Sequence, residues 1–245
     1  MTYCVGMLLD DGMVFVSDSR TNAGVDRVAS FQKMHVFQQT GKRVFVLLTS
    51  GNLSLSQSVV ALLHEGLGTR DPKRDLYFAK TMFAAARIVG AAMRETYSSE
   101  GEALKVHNVD FNIALIFGGQ IKGSAPGLYQ LYDAGNFVGA TDDTPYFQIG
   151  EVKYGKPVLD RVITRRTSLV HAAKAALISF DSTMRSNISV GPPIDVAVYR
   201  KDALKIDFRR RMGEHDPYLS QIRKLWGEAL LRAFTDVIPD PDWNL

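Results

Sequence analysis

The apolar residues of this 245-residue chain divide it into blocks of strands and blocks of helices, and this grouping restricts the fold more than any other feature. Apolar runs bounded by Gly, Asn, Pro or Asp turns predict strands over 2–9, 13–17, 34–37, 44–48, 111–117, 127–132, 137–139, 194–199 and 204–208. Apolar residues that recur every three or four positions predict helices over 53–67, 76–97, 166–184 and 218–234. Such grouping argues against a doubly wound parallel sheet, in which strands and helices alternate one by one.

Successive strands joined by short turns pair as antiparallel hairpins, and a sheet with an apolar face must pack that face against another layer. The predicted fold is therefore α+β, a four-layer αββα sandwich in which two antiparallel sheets pack face to face and helices cover the outside. No internal repeat or linker is evident, so we expect residues 1–245 to form one domain. Within it, residues 212–245 are expected to form a C-terminal helix and a non-helical tail.

The composition narrows the classes of function. The formal net charge of +3 comes partly from two short basic clusters, at 165–166 and 209–211, which lack the interleaved aromatic residues of a nucleic-acid groove. Cys4 is the only cysteine, which rules out an intrachain disulfide, and the five histidines show no spacing typical of metal ligands. We therefore expect no nucleic-acid partner, no metal and no organic cofactor.

The start of the chain and its hydropathy indicate a compartment. The chain opens with MTYCVGMLLDDG, which has no basic region ahead of an apolar core and soon reaches acidic residues, unlike a signal peptide. No apolar run is long enough to span a bilayer. We expect a cytoplasmic protein with no membrane partner.

Thr2, Asp18 and Lys33 form a candidate catalytic set. A threonine hydroxyl is a weak nucleophile that needs a base. Once Met1 is removed, the free α-amine of Thr2 lies on the same residue, and its unperturbed pKa of about 8 allows it to accept the hydroxyl proton. Lys33 would hold positive charge beside Thr2, and Asp18 would keep Lys33 charged and oriented. Threonine is small enough for a methionine aminopeptidase to remove Met1.

Each of these residues also has an ordinary structural interpretation. Threonine is common at the second position, an aspartate after an apolar strand is usually a turn residue, and a single lysine is usually on the surface. The chemical interpretation depends on the combination and on the residues around it. Cys4 has no histidine at a recognisable spacing, so we expect it to be a small core residue.

The same region resembles the opening of proteasome β subunits. The resemblance is carried by Thr2-Tyr-Cys-Val-Gly6, Asp11-Gly12, Ser17-Asp18-Ser19-Arg20, Ala23-Gly24 and Lys33. That opening has threonine first, an Asp-Gly turn, an Asp-x-Arg motif, an Ala-Gly turn and then the catalytic lysine. The resemblance implies an N-terminal-nucleophile hydrolase in which Thr2, Asp18 and Lys33 are catalytic and Arg20 is a supporting residue.

Two later segments resemble the bacterial Anbu group, which is proposed to represent ancestral β subunits. These segments read GEVKYGKP at 150–157 and SNISVGPP at 186–193. The C-terminal extension also fits this group better than a ring-forming proteasome subunit. The resemblance implies a homo-oligomer with an open helical or lock-washer arrangement.

The resemblance also implies the rest of the site. Residues 48–51 stand where the family places a wall of the substrate pocket, so Leu48, Ser50 and Gly51 become pocket residues. The Ser50 N–H is then the donor expected to stabilise the oxyanion. The alternative interpretation is a strand that leads into a helix N-cap, for which Ser50 or Asn52 is suited. Both interpretations can hold, because a helix N-terminus is itself an anion site.

Two positions depart from the proteasome pattern. Gly150-Glu151 stands where those subunits have a Gly-Ser-Gly turn that supports the threonine amine, and Ser186 and Ser189 stand in place of an Asp-x-x-Ser pair. A glutamate beside the amine would raise the pKa of the amine and weaken it as a base at neutral pH. The alternative is a surface position for Glu151.

The resemblance implies a threonine-type peptidase or amidase that cleaves peptide or protein substrates within a proteasome-like, self-assembled complex, with activity that is weak or latent. Two alternatives remain: an amidase on small-molecule amides, and a catalytically silent assembling scaffold if Met1 is retained. The chain has no GxxxxGK[ST] motif, so any ATP-dependent unfoldase would be a separate protein. The apolar faces of the helices at 76–97 and 218–234, the latter with Trp226, also favour a homo-oligomer.

Overall fold

The computed structural model of the chain describes residues 2–22 and 28–243. Met1 and the predicted Ala23-Gly24 turn lie outside the described residues. The strands, in chain order, are β1 (Tyr3–Leu9), β2 (Gly12–Asp18), β3 (Arg20–Asn22), β4 (Val28–Ser30), β5 (Met34–Gln39), β6 (Arg43–Gly51), β7 (Ile113–Ile121), β8 (Gly127–Leu131), β9 (Phe137–Gly139), β10 (Tyr146–Gly150), β11 (Ile194–Arg200) and β12 (Phe208–Met212). The helices are α1 (Leu53–Gly66), α2 (Met82–Val106), α3 (Lys156–Val162), α4 (Leu169–Ser186) and α5 (Pro217–Arg232), and a π-helical turn follows at Ala233–Val237.

These strands form two antiparallel sheets of five strands each and a short β3–β4 ribbon. The first sheet has the strand order β10-β1-β2-β11-β12, and the second has the order β5-β6-β7-β8-β9. The second sheet pairs strands in chain order. The first sheet instead brings β10 beside β1 and β11 beside β2 from the far half of the chain.

Apolar side chains of the described residues fill the three spaces between layers. Cys4, Phe15 and Leu48 belong to the cluster between the two sheets. A second cluster joins the second sheet to α1 and α2, and a third joins the first sheet to α3, α4 and α5. Burial of these faces removes apolar surface from water on both sides of each sheet, which stabilises the four-layer arrangement. The predicted α+β sandwich is confirmed.

The predicted helix at 76–97 is displaced in the structure, where α2 covers Met82–Val106. The residues before it form a turn instead, because the Asp75 carboxylate accepts a hydrogen bond of 2.8 Å from the Tyr77 N–H. The helix begins after Thr81, whose hydroxyl accepts a hydrogen bond from the Ala84 N–H at 3.0 Å. The spacing of apolar residues every three or four positions did not by itself distinguish the turn before α2 from the helix.

The predicted strand at 204–208 is also wrong. Residues 201–207 form a loop, and β12 begins at Phe208. β12 is an edge strand whose Arg209, Arg210 and Arg211 are exposed, and charged edge strands of this kind lack the apolar alternation that predicts a strand. Met212, the first residue of the predicted C-terminal region, is the last residue of β12. β10 and α3 are short elements that the sequence pattern did not predict.

The C-terminal helix is only partly covered by the rest of the chain. α5 buries Leu219 and Ile222 but leaves Leu225 and Leu230 exposed, and the turn after it exposes Phe234. α2 packs one face on the second sheet and on α1, but its Phe83 and Val106 are exposed. Both helical regions therefore keep exposed apolar side chains, and the C-terminal region has more of them. No described helix combines the length and the hydropathy required to cross a membrane.

Candidate active site

Thr2 lies at the head of β1, where the end of β10 holds its backbone. Tyr3 is paired with Gly150, and the Glu151 N–H donates a hydrogen bond of 2.7 Å to the Thr2 carbonyl. Gly150 has a φ of +86°, and a Cβ at this position would collide with the Thr2 carbonyl. Only glycine suits both the conformation and the close approach. The residue predicted as the nucleophile is therefore buried and positioned by a segment almost 150 residues away.

Asp18 and Lys33 form a buried ion pair close to Thr2. The Lys33 Nζ donates to Asp18 Oδ1 at 2.9 Å, and both side chains are almost completely buried. The same carboxylate oxygen accepts a hydrogen bond from the Tyr3 N–H at 3.1 Å, which ties the pair to the residue that follows Thr2. Burial raises the pKa of Asp18 above its usual range, while the Lys33 ammonium and the Tyr3 N–H counteract that increase.

Lys33 makes a second hydrogen bond that fixes its position. Its Nζ donates to the Arg20 carbonyl at 2.6 Å, so Asp18 and Arg20 take two of the three N–H bonds of the ammonium. The guanidinium of Arg20 donates to the Ile188 carbonyl at 3.0 Å and packs against Gly191. Arg20 therefore connects the lysine to the loop after α4, and its role in the site is structural.

A cavity of about 520 Å³ opens beside these residues. Its described lining residues are Thr2, Thr21, Lys33, Thr49, Ser50, Gly51, Asn52, Leu53, Ser56, Asn112, Ala114 and Gly150. The structure thus brings Thr2, Lys33, Ser50, Gly51 and Gly150 together around one space, as the sequence predicted. Asp18 is hydrogen-bonded to Lys33 and does not line the cavity.

Leu48 does not belong to this cavity. Its side chain is completely buried in the apolar cluster between the two sheets, with Met34 and Ile116. Adjacent side chains of a strand point to opposite faces, so the pocket wall at this level is formed by Thr49. The prediction that Leu48 lines the pocket was wrong because a resemblance in sequence does not show which way each side chain points.

The direction of the N–H groups in β6 follows from two hydrogen bonds at its end. The Thr49 N–H donates to the Lys33 carbonyl at 2.9 Å, on the side of β5. The Asn52 N–H donates to the Asn112 carbonyl at 2.7 Å, on the side of β7. Successive N–H groups along an extended strand alternate between its two neighbours.

This alternation changes the candidate oxyanion donor. The Ser50 N–H faces β7, where Ser50 is paired with Ala114 in the sheet. The Gly51 N–H faces the opposite side, which is the side of β5, at a level beyond the first residue of that strand. The backbone N–H directed toward the cavity is therefore that of Gly51, and Ser50 contributes its side chain.

Glu151 has a buried side chain, so the surface alternative is wrong. Its carboxylate accepts a hydrogen bond from the Asn187 side chain at 2.8 Å and lies 3.6 Å from the Lys153 ammonium. The two serines predicted as supporting residues are placed differently. Ser186 is exposed at the end of α4, and Ser189 is half-buried in the following loop, where its N–H donates to Asn187 Oδ1. Neither serine lines the cavity.

Sequence reasoning missed several residues that the fold brings to the site. Thr49 lies beside the predicted pocket positions and could have been selected by strand alternation. Asn112, just before β7, lines the cavity, and Asn187, just after α4, donates a hydrogen bond to Glu151. No local signal predicts either position. Tyr3 is completely buried, and its hydroxyl is hydrogen-bonded to Ser179 at 2.6 Å.

Two further groups bear on the chemistry. Cys4 is completely buried, and burial raises the pKa of its thiol well above the usual value, so it remains a protonated core residue. Within residues 2–22 and 28–243, no cluster of His, Cys, Asp or Glu side chains could hold a metal ion. The reactive groups gathered at the cavity are therefore hydroxyls, backbone amides and the Lys33–Asp18 pair.

Two face-to-face antiparallel sheets between layers of helices, with a threonine at the head of β1 beside a buried lysine–aspartate pair, define a proteasome β-subunit-like protein. Comparison with solved structures agrees with this class. The chain is 45% identical to Anbu (ancestral β subunit) from Yersinia bercovieri over the whole of both chains, with a TM-score of 0.92. It is 47% identical to an Anbu (Gly-1) mutant from Hyphomicrobium sp. strain MC1, over 98% of this chain and 100% of the other, with a TM-score of 0.91.

A third similar structure is described as the helical assembly of the Anbu complex from Pseudomonas aeruginosa. The identity is 43% over 98% of this chain and 99% of that chain, with a TM-score of 0.92. No protein-family model and no curated protein sequence matches the chain. The extent and identity of the structural matches show that the chain belongs to the Anbu family.

Proposed function

We propose that this chain is a threonine-type N-terminal-nucleophile hydrolase that cleaves peptide or amide bonds. The observation that carries the proposal is the Lys33–Asp18 pair, which is buried and meets the cavity that Thr2 lines. A buried ion pair is costly to desolvate and is weak evidence for stability, so its position beside a candidate nucleophile favours a chemical role.

In the first half of the proposed reaction, the Thr2 Oγ attacks the carbonyl carbon of the substrate amide. The α-amine of Thr2, free once Met1 is removed, takes the hydroxyl proton directly or through a water molecule. The Gly51 N–H stabilises the oxyanion that forms. The amine then gives its proton to the leaving nitrogen as the C–N bond breaks, and the acyl group remains on Thr2 as an ester.

In the second half, water attacks the ester carbonyl and the α-amine accepts a proton from that water. The C–O bond to Thr2 breaks, the acid product leaves, and the Thr2 hydroxyl recovers its proton. Lys33 acts in both halves through its charge. Asp18 and the Arg20 carbonyl hold its ammonium in place, and the remaining N–H favours negative charge developing on the Thr2 oxygen.

Two alternatives keep the same fold. The substrate could be a small amide, because a cavity of about 520 Å³ also has room for a small molecule. The chain could instead be an assembling scaffold if Met1 stays attached in the cell, because the base would then be an amide nitrogen. Comparing cleavage of a mixed peptide library with hydrolysis of small amides distinguishes a peptidase from a small-molecule amidase. The intact mass of the native chain shows whether Met1 is retained, and so distinguishes the enzyme from the scaffold.

The proposal is tested by the Thr2→Ala variant, assayed on a peptide library by mass spectrometry after the loss of Met1 has been confirmed by intact mass. Removing the nucleophile should reduce cleavage to the uncatalysed level, a loss of at least about 10³-fold, while the fold and assembly are retained. Cys4→Ala is the matched control, since it changes a buried residue of β1 that does not itself line the cavity. Unchanged cleavage by Thr2→Ala would refute the mechanism.

We also propose that the chain forms a homo-oligomer, and the support is the exposed apolar surface of its C-terminal region. Leu225, Leu230, Leu231 and Phe234 are each at least half exposed. Isolated chains rarely leave such a surface uncovered. The similar protein from Pseudomonas aeruginosa is described as a helical assembly, which favours an open arrangement for this chain as well. A monomer in sedimentation velocity at micromolar concentration would contradict the proposal.

A further inference from the structure

The wall of the cavity beside Thr2 carries hydroxyl groups that have no partner. Thr49 and Ser50 are 4% and 8% exposed, and neither hydroxyl is hydrogen-bonded to any described residue. The Thr21 hydroxyl, on the ribbon that borders the same cavity, is buried and also without a partner in the described part of the chain. All three residues line the cavity, so their hydroxyls are available to hydrogen-bond with a bound ligand.

The first turn of α1 borders the same space. Asn52 caps the helix by accepting a hydrogen bond of 3.0 Å from the Ser54 N–H, and Asn52 and Leu53 both line the cavity. The remaining first-turn N–H groups of a helix have no carbonyl partner within it, and the helix dipole places positive charge at this end. The Asn52 amide keeps its NH₂ group free to donate, because its oxygen is the capping atom.

The charge of the described cavity wall is positive. Lys33 is the only charged side chain among the described lining residues, and its Asp18 partner lies outside the cavity. The described lining residues therefore offer no carboxylate to bind a cationic side chain. A bulky apolar side chain would cover the Thr49 and Ser50 hydroxyls without satisfying them, which is unfavourable. The wall offers several hydrogen-bond donors and favours a ligand that accepts hydrogen bonds.

We propose that this cavity receives a substrate side chain that ends in an acceptor oxygen, either the carboxamide of Gln or Asn or the carboxylate of Glu or Asp. The Thr49 hydroxyl and the first turn of α1 bind that oxygen, and the peptide bond that follows the bound residue is presented to Thr2. This inference rests on the proposed function, because it assigns the substrate class of the same site. Bulky apolar and cationic side chains are disfavoured.

The experiment uses four peptidyl epoxyketones that differ only in the side chain next to the reactive group: Gln, Glu, Leu or Lys. These reagents form a stable ring with the hydroxyl and the amine of an N-terminal threonine, so intact mass gives the rate of modification on the full chain. We expect the Gln or Glu reagent to react at least about tenfold faster than the Leu and Lys reagents. If the Gln reagent reacts faster than the Glu reagent, the cavity prefers a carboxamide side chain. If the Glu reagent reacts faster, the cavity prefers a carboxylate.

The outcomes separate the inference from the proposed function. If the Leu or Lys reagent modifies the chain fastest, the inference is overturned, but a reactive Thr2 is supported. Modification by none of the four would overturn the proposed function, and the inference with it. Equal rates for all four would also overturn the inference, because the cavity would then not select the side chain.

Two variants sharpen the test. Asn52→Asp keeps the helix cap, since aspartate caps as well as asparagine, and adds a carboxylate to the cavity. It should slow the Glu reagent and speed the Lys reagent, changing their ratio by at least about tenfold. Thr49→Val should remove most of the preference for Gln or Glu, whereas Thr96→Val, a buried threonine of α2 remote from the cavity, should leave all four rates unchanged. An unchanged order of rates in both cavity variants would overturn the inference.

Discussion

The two ends of the sheet sandwich each contain a group of polar side chains, and the two groups differ in how they are hydrogen-bonded. At the end opposite Thr2, the Gln120 amide donates to the Ser124 carbonyl and to Asp202, and its oxygen accepts from the Tyr199 hydroxyl. At the Thr2 end, the Thr49 and Ser50 hydroxyls have no partner among the described residues.

This contrast separates a structural network from a binding site. A fully bonded buried network fixes one conformation, and the Gln120 cluster holds the 201–207 loop against β7. The Thr49 and Ser50 hydroxyls line a cavity and are available to a ligand. A ligand would therefore complete the hydrogen bonds at Thr49 and Ser50, whereas the Gln120 side chain has its hydrogen bonds without one.

The largest effect is expected at the Lys33–Asp18 pair. Lys33→Met leaves the Asp18 carboxylate buried without its partner, which should lower the free energy of unfolding by about 3–5 kcal/mol and reduce turnover by at least about 10³-fold. Chemical denaturation and the peptide assay measure the two effects. A stable variant with full activity would show that the pair serves neither role.

The same variant should respond to pH. Burial already raises the pKa of Asp18 above its usual value of 3.8, and losing the lysine raises it further. The folded variant then binds a proton that the unfolded chain has released, so its stability should fall as pH rises above 3.8 toward the raised pKa. Lys33→Met should accordingly lose less stability at pH 5 than at pH 7.5. If the loss of stability in Lys33→Met increased as the pH was lowered, the raised pKa of Asp18 would not explain it.

The second prediction compares the two ends directly. Gln120→Met removes the hydrogen bonds to Tyr199 and Asp202, and should lower the free energy of unfolding by about 2–4 kcal/mol without changing turnover. Thr49→Val at the other end removes a hydroxyl with no partner, so it should change stability by less than about 0.5 kcal/mol. If thermal or chemical denaturation showed that Gln120→Met and Thr49→Val lower the free energy of unfolding equally, the two ends would not differ.

The smallest effect is expected at Glu151. Glu151→Gln can still accept the hydrogen bond from Asn187, so the fold should be retained. Removing a negative charge near Thr2 should lower the pKa of the α-amine, and the acidic limb of the pH–rate profile should move down by about 0.5–1 pH unit. An unshifted profile would show that Glu151 only positions the 187–193 loop.

Local patterns predicted much of the fold, and the failures have physical causes. The strands from β1 to β9, except the short β3 and β4, follow from apolar runs and turn residues. β10 was not predicted, and the strand that it pairs with, β1, lies more than 130 residues earlier in the chain. The predicted bounds of the last strand, 204–208, were wrong because the charged residues of β12 have no apolar alternation.

The sequence by itself determined the order of strands and helices, the sandwich that buries their apolar faces, and Thr2, Asp18 and Lys33 as one candidate set. Those features depend on residue type and spacing along the chain. The tertiary structure decided that Leu48 is buried between the sheets, that the Gly51 N–H faces the β5 side while the Ser50 N–H faces β7, and that Gly150 and Glu151 hold Thr2 in place. These features depend on which strand lies beside which, because hydrogen-bond direction and burial are set by neighbours that are distant in sequence.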